Sequence, residues 1–535
     1  MRIHNPGLFR HSCLVILSSF VILASSFITM HRRHFLKTVA ATTIVTATGI
    51  GRAANTTRTL PEATAAKLPQ WHGFNLLEKF ISDGNNKPFS EQDFQWMAAW
   101  GFDFVRLPMD YRCWAKTPAA DFNEATMRDI DQAIEFGRQT GIHVNLNFHH
   151  APGYCVNSPA AENILWHDTA MQEQFARHWG IFAARYKGIP ASRLSFDLVN
   201  EPGAVSGADY TRAIRPAIGA IHNADPARLV IADGVSWGTL PVVELIPLGV
   251  AQSTRGYEPM RVSHYGASWV HQDETLPPPE WPVPASMNDH IYCAGKPDLK
   301  SPLILKVDCP ASADFGIRIG EVSGPAELLV KADGKTVLQK LFAPGPGPGD
   351  WKSATKNQWG GYDAFYDAAY TVTIPAGTHE ISIEGGTGDW FRFQEISLDK
   401  TIIRPESADW GIRQETYTLG ADGKARSVAA HGWQFSKETL WKNRIGPWQK
   451  LAAQGVGVHV GEWGVYNHTP HPVALSWMRD CLENWKTAGF GWALWNLRGS
   501  FGILDSDRKD VAYEDYQGHK LDRQMLNLLR EYATV

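Results

Sequence analysis

Two acids in this chain are placed to do chemistry. Glu201 ends the apolar run LSFDLVNEPG, Leu194–Gly203, and Glu462 ends a second one in HVGEWGVY. A surface turn is the plain structural explanation for Asn-Glu-Pro after a strand, and ion pairs that stabilise the fold are the plain explanation for both acids. A pair of carboxyl groups facing one another across a cleft is also what glycosidic bond cleavage requires. One group protonates the leaving oxygen while the other attacks the anomeric carbon or activates water. Asn200, one residue before the first acid, can donate to a sugar 2-hydroxyl as oxocarbenium character develops. Arg106 and His264 can supply positive potential and hydrogen bonds that keep one acid ionised, while the other must stay protonated in a drier setting.

The elements that must position these residues are short strands alternating with helices. Strand candidates start near Trp71, Phe102, Ile142, Leu194, Arg228, Met260, Val456 and Gly489. Eight strands with intervening helices predict an α/β fold, a closed (β/α)8 TIM barrel, whose C-terminal strand ends line the site. Those ends present Glu78, Arg106, His149, Asn200-Glu201, His264, Glu462 and Trp495-Asn496. Ser90 with Asp93 predicts a capping box for the first helix, and Asn123 and Gly141 bracket the second. Nearly 200 residues separate the sixth and seventh strand candidates. Alternating β-branched runs with Gly, Pro and Asp turns fill that gap and predict an inserted β-sandwich between strands 6 and 7. The expected division is 1–54 signal, 55–285 barrel strands 1–6, 286–430 sandwich and 431–535 barrel strands 7–8. Trp351, Trp359, Tyr362 and Trp390 in the insert are candidates to stack on glycan, or else turn and core aromatics.

Composition narrows the classes. The chain has 535 residues, 44% hydrophobic and 20% charged, as in soluble globular proteins. A formal charge of −4 offers no basic stripe, so a nucleic-acid partner is not expected. Tryptophan is abundant at 21 copies, and indole faces stack on sugar rings as well as filling cores. HRRHFLKTVAATTIVTATGIGRAA, from His31, resembles a twin-arginine export signal, with Met30 the expected start. A short membrane anchor is the alternative for the apolar stretch upstream. Export implies a periplasmic or extracellular, oxidising setting, with no stable membrane insertion once the signal is removed. Cys113 with Cys155, or Cys293 with Cys309, are candidate disulfides. No CxxC or Cys/His cluster suggests zinc, and neither metal nor cofactor is expected.

VRLP, NFHHAPG, DLVNEP, HVGEWGVY and ALWNLRG together resemble glycoside hydrolase family 5, the cellulase-like clan of retaining β-glycosidases. The resemblance covers roughly 75–285 and 432–530. It implies that Glu201 is the acid/base, Glu462 the nucleophile and Asn200 the 2-hydroxyl partner. It further implies a shell of Arg106, His149 and His264, with Trp495 as a sugar platform. The family commonly has His-x-Tyr on its sixth strand, whereas SHYG here puts Tyr265 directly after His264. Tyr265 therefore faces away unless a bulge re-aims it, and Tyr466 is a substitute. FHHAPG is similar to the exo-acting β-1,3-glucanase branch, and Glu78 is a candidate to bind a terminal sugar. The expectation is a retaining β-glycosidase acting as a monomer on a β-glucan or related carbohydrate, with β-mannan or exo-β-1,3-glucan as alternatives. GVSWG, Gly234–Gly238, offers a serine esterase reading through Ser236, and a non-catalytic glycan-binding protein is a further alternative. The insert resembles a carbohydrate-binding module, or else walls off one end of the cleft.

Overall fold

In a computed structural model, the described residues are 58–533, except 85, 157–163, 204, 271–277, 285, 358–360, 409, 421 and 429–432. The export signal and Trp359 lie outside them. Eight parallel strands close a barrel. The first six are β1 His72–Asn75, β2 Phe104–Asp110, β3 His143–His150, β4 Leu194–Asp197, β5 Leu229–Asp233 and β6 Ala251–Gly256. The seventh and eighth barrel strands are Val458–Trp463 and Gly491–Leu494, and the eighth pairs back onto β1.

The expected sixth strand is corrected. Met260–Ser263 is a short helix, and β6 lies earlier, at AQSTRG. That run escapes an apolar-pattern search because its inward side chains, Ser253 and Arg255, are polar. They are fully enclosed by the barrel nonetheless.

The barrel interior is layered. Near the N-terminal ends of the strands, Trp71 stacks on His143 at 3.8 Å, and Phe104 lies 5.5 Å from the same ring. Burial pushes the His143 pKa down to about 3, so this plug is neutral as well as aromatic. Polar side chains occupy the opposite end. Between strands and helices, residues such as Phe148, Trp179 and Phe182 form a continuous apolar core. The second helix, α2 Glu124–Thr140, is capped by Asn123, whose side chain accepts from the Ala125 and Thr126 amides, and it stops at Gly141 with φ 71°. The first helix, α1 Glu91–Ala99, lacks the expected box: Ser90 makes no side-chain cap bond, the Asp93 amide donates to the Ser90 carbonyl instead, and the Asp93 carboxylate is engaged by Arg498 at 2.5 Å.

The inserted domain leaves the barrel after β6. Val283–Pro284 pairs antiparallel with Trp433–Phe435, so the outgoing and returning chains are zipped together at its neck. Ten strands form its sheet. Two long strands, Ala313–Ala332 and Thr378–Leu398, run side by side and change outer partners midway. The sheet thereby folds over a core of its own, including Phe315, Ile317, Leu328 and Phe391. The five cysteines of the described residues are buried thiols, so neither candidate disulfide is formed. Among the described residues, no helix is long and apolar enough to cross a membrane.

Candidate active site

Six strand ends converge on one buried cluster of acids, amides and guanidinium groups. Arg106 on β2 is fully enclosed. Its Nε donates to Asp197 Oδ2 on β4 at 2.8 Å, and its Nη1 donates to Glu462 Oε1 at 2.5 Å. Asn75 on β1 accepts from Nη1 at 3.2 Å, and Asn200 Oδ1 accepts from Nη2 at 2.9 Å. Burial opposes the charge on Arg106, but Asp197 and Glu462 outweigh it and leave the pKa raised.

Glu462 owes its aim to a β-bulge. On β6, Thr254 pairs with Val460 and Arg255 with Glu462, so Gly461 is an extra residue on the seventh strand. Plain alternation would send Glu462 outward with Val460; one inserted residue flips it to the interior. Glycine is required there, since a Cβ would stand 2.4 Å from Ser253 Oγ.

Glu201 follows β4 on a turn with φ 48°, a left-handed conformation costly for a residue with a Cβ. The turn is held from two sides. Asp233 Oδ2 accepts the Glu201 amide at 2.8 Å, and the Tyr154 hydroxyl donates to the Glu201 carbonyl at 2.6 Å. Burial, and then the nearby Glu462, push the Glu201 carboxyl up to about 8. Burial and the Asp233 charge likewise raise Asp197 to about 7.

Arg255, which the sequence reading missed, joins the two acids. Its Nε donates to Glu201 Oε1 at 2.9 Å, and its Nη2 lies 3.4 Å from Glu462 Oε1. Nη2 also donates to Asn200 Oδ1 at 2.8 Å, while Asp233 takes both Nη atoms. With its oxygen held by two arginines, Asn200 must present its NH2 outward; Nδ2 is 3.4 Å from His149 Nε2. His149 sits 3.9 Å from Glu462 Oε1, and burial followed by Arg106 holds its pKa well below the usual value. It is therefore a neutral ring. Trp495 stacks on it at 5.5 Å, and Phe80 meets Trp495 edge-on at 5.3 Å.

Three expected site residues stand elsewhere. His264 follows the short helix rather than ending a strand, with Nδ1 on Ser263 Oγ at 2.8 Å and its ring 5.1 Å from that of Tyr257. Arg255 occupies the strand-end position assigned to it. Tyr265 is half-buried in the turn after His264, and the phenol on the nucleophile candidate is Tyr257, 3.2 Å from Glu462 Oε2. Tyr466 packs instead against Trp269 and Phe501. Glu78 lies beyond β1 near Asp93 and Arg498, where burial and the Asp93 charge raise its pKa to about 7. The sequence signal for β6 was Arg255-Gly256-Tyr257 itself, an Arg-x-Tyr where His-x-Tyr was sought.

The esterase alternative gains no partner. Ser236 and Trp237 do form a left-handed turn, with φ 54° and 57°, but among the described residues no histidine or acid hydrogen-bonds the Ser236 hydroxyl. Trp237 instead packs against the Glu201 turn, donating its amide to Pro202 at 3.0 Å. Among the described residues, no group of three His, Cys, Asp or Glu side chains could hold a metal ion.

Comparison with known proteins bears on the same residues. Residues 61–259 match the model for cellulase, glycosyl hydrolase family 5. Cellodextrinase A of Ruminococcus flavefaciens is 26% identical over 185 residues, which is 34% of this chain and 54% of that protein. A probable glucan 1,3-β-glucosidase A of Aspergillus fumigatus is 27% identical over 182 residues, 32% of this chain and 42% of that one. The chain spans about half the length of the first of these curated relatives. A solved structure described as a glycoside hydrolase superposes with a TM-score of 0.56 at 26% identity, covering 86% of this chain and 99% of its own. Residues 61–259 are thus similar to the cellulase domain of glycosyl hydrolase family 5, and Arg106, His149, Asn200 and Glu201 lie within the residues that match it.

Proposed function

We propose that this chain is a retaining β-glycosidase acting on β-linked glucans. The observation that carries the reading is the unequal setting of two acids within reach of one guanidinium. Glu462 is held by Arg106 and faced by Tyr257, which fix its carboxylate at the place a nucleophile needs. Glu201 has its carboxyl raised to about 8, so it holds a proton at neutral pH. In the first step a Glu462 oxygen bonds to the anomeric carbon, the bond to the departing oxygen breaks, and the Glu201 proton passes to that oxygen. In the second step Glu201, now ionised, takes a proton from water, whose oxygen displaces Glu462 and releases the sugar. The Asn200 NH2, fixed outward, supplies a donor for the sugar 2-hydroxyl, and Trp495 a face for the ring.

Glu201→Ala is expected to cut turnover by about two to four orders of magnitude, and Glu462→Ala by at least as much. Azide should rescue Glu462→Ala as a product of inverted configuration. Proton NMR of the first-formed product of the wild type should show retention; an inverted sugar, or full activity in either variant, would sink the mechanism.

The relatives named for cellodextrins and for 1,3-β-glucan support a β-glucan substrate. Product sizes from β-1,3-, β-1,4- and mixed-linked polymers, with mannan beside them, separate endo from exo action and glucan from mannan. On the twin-arginine pattern the reading takes the enzyme as exported; it further takes it as a monomer, with the insert as a glycan-binding or cleft-shaping unit. Loss of export on Arg32→Lys with Arg33→Lys tests the first part.

A further inference from the structure

Arg255 is fully buried, and each of its N–H groups meets an oxygen of the cluster or the strand beneath it. Besides Glu201, Asn200 and Asp233, Nη1 reaches Ser253 Oγ at 3.1 Å and the Thr254 carbonyl at 3.2 Å. Its room is made by glycines. A Cβ on Gly238 would stand 2.8 Å from Arg255 Cγ, and one on Gly461 would stand 3.0 Å from Nη1. Among the described residues, Arg255 is the one cation hydrogen-bonded to Glu201. Arg106, by contrast, bonds Glu462 and Asp197 and makes no bond to Glu201.

We propose that Arg255, anchored by Asp233, is a positioning residue that stabilises the negative charge first on Glu462 and then on Glu201 during turnover, and thereby sets the pH window of activity. The proposal rests on the assignment of Glu462 as nucleophile and Glu201 as acid/base. When the glycosyl-enzyme forms, Glu462 loses its charge to the new carbon–oxygen bond, and Glu201 gains one by giving its proton to the leaving oxygen. A guanidinium already touching Glu201 Oε1 and close to Glu462 Oε1 stabilises either distribution without moving, which is the condition for a preorganised electrostatic contribution. Because Nε occupies Oε1, the transferable proton belongs on Oε2. Asp233 completes the device. It binds the guanidinium through both carboxylate oxygens and also accepts the Glu201 amide, so the arginine and the strained turn share one anchor.

Other groups face the same space. Burial opposes the charge on Arg255, but Asp233, Glu462, Glu201 and Asp197 outweigh it and leave its pKa raised. Arg106 on β2 and the neutral rings of His149 on β3 and His459 on the seventh barrel strand complete the surroundings. The phenols of Tyr154, Tyr210 and Tyr257 have pKa values raised by burial and by the acids, so they stay protonated. Over the range where Glu201 changes charge, these cations and phenols hold constant states, whereas Asp197, raised to about 7, titrates beside it.

Arg255→Gln removes a positive charge beside both acids, so each becomes harder to ionise. The acid limb of kcat/KM, set by Glu462, and the basic limb, set by Glu201, should both move to higher pH by about one unit or more. The rate at the optimum should fall about 100-fold. Arg255→Lys keeps the charge without the fork and should return both limbs toward their wild-type positions while the rate stays reduced. Asp233→Asn removes the opposing charge and should move both limbs the other way, to lower pH; it decides the matter if Arg255→Gln fails to fold. The profiles are read with the full chain and nitrophenyl β-cellobioside. Limbs unmoved in Arg255→Gln or in Asp233→Asn, with only the rate lowered, would overturn the proposal, as would Arg255→Lys shifting as far as Arg255→Gln. Glu462→Ala separates the two layers of argument: wild-type turnover there overturns the mechanism itself, whereas an inactive Glu462→Ala beside unmoved limbs overturns only the role of Arg255.

Discussion

Tyr257 and Tyr265 differ by eight positions in sequence and by everything that matters at the nucleophile. The half-buried Tyr257 places its hydroxyl 3.2 Å from Glu462 Oε2, and desolvation followed by the Glu462 charge raises its pKa, so it acts as a neutral donor. A hydrogen bond to a charged group contributes about 1.5–3 kcal/mol. Tyr257→Phe should therefore lower kcat about 10- to 100-fold with little change in KM, while Tyr265→Phe should leave both near wild type. Equal effects from the two substitutions would show that the hydrogen bond is not used. At this scale the sequence was most informative where an acid ends an apolar run. Glu201, Glu462 and Arg106 could be picked out because buried strands rarely stop on charge without a use for it. Arg255 could not, because the strand that carries it has no apolar face toward the barrel axis. Its inward residues serve the cluster, so the pattern that marks a strand is absent where the chemistry is densest.

Elements carry the next layer of information. The bulge at Gly461 is invisible to alternation, since HVGEW reads as an ordinary buried strand whichever way Glu462 points. Only pairing with β6 shows that two residues stand against one. Gly461→Ala should be severe out of proportion to its single methyl. The new Cβ would collide with Ser253 Oγ and crowd Arg255, pushing Glu462 off its arginines. A displacement of about 1 Å costs about 100-fold in rate, so kcat should fall by that order while the fold survives. A variant of unchanged kcat would mean that the bulge does not set the aim of Glu462. Helix starts show the opposite balance of local and distant forces. Asn123 caps α2 as its sequence context predicts, because nothing competes for its side chain. Ser90 makes no such bond, and the carboxylate of its expected box partner Asp93 is bound by Arg498 from a loop some 400 residues away, a contact no local window contains.

Across the whole molecule, the buried titratable groups make folding strongly dependent on pH, and the two signs can be worked out separately. Six histidines of the barrel are held neutral by burial: His72, His150 and His178 at about 4, His143 at about 3, and His149 and His459 well below the usual value. Their folded pKa values lie below the unfolded 6.5, so the unfolded chain binds more protons in that interval, and stability is lost as pH falls from 6.5 toward 4. The three acids with the largest upward shifts act in reverse. Glu78 and Asp197 at about 7 and Glu201 at about 8 lie above their unfolded values, so the folded chain binds more protons, and stability is lost as pH rises through 7 and 8. The histidines dominate below pH 6 because they are more numerous, and the acids dominate above 7 because the histidines no longer titrate there. The melting temperature should therefore peak at about pH 6.5–7, with a steep acid side and a shallower basic side. All nine groups belong to the barrel, so this dependence reports the catalytic unit rather than the inserted sheet with its separate core. Glu201→Gln isolates the largest acid contribution: it should raise the melting temperature at pH 9, where the native carboxyl is forced to ionise beside Glu462, and change it little at pH 4, where the carboxyl is mostly protonated in folded and unfolded chains alike. A peak near pH 5, or an equal effect of Glu201→Gln at both pH values, would mean that Glu201 is ionised in the resting fold, and the proton needed by the leaving oxygen would have to come from elsewhere.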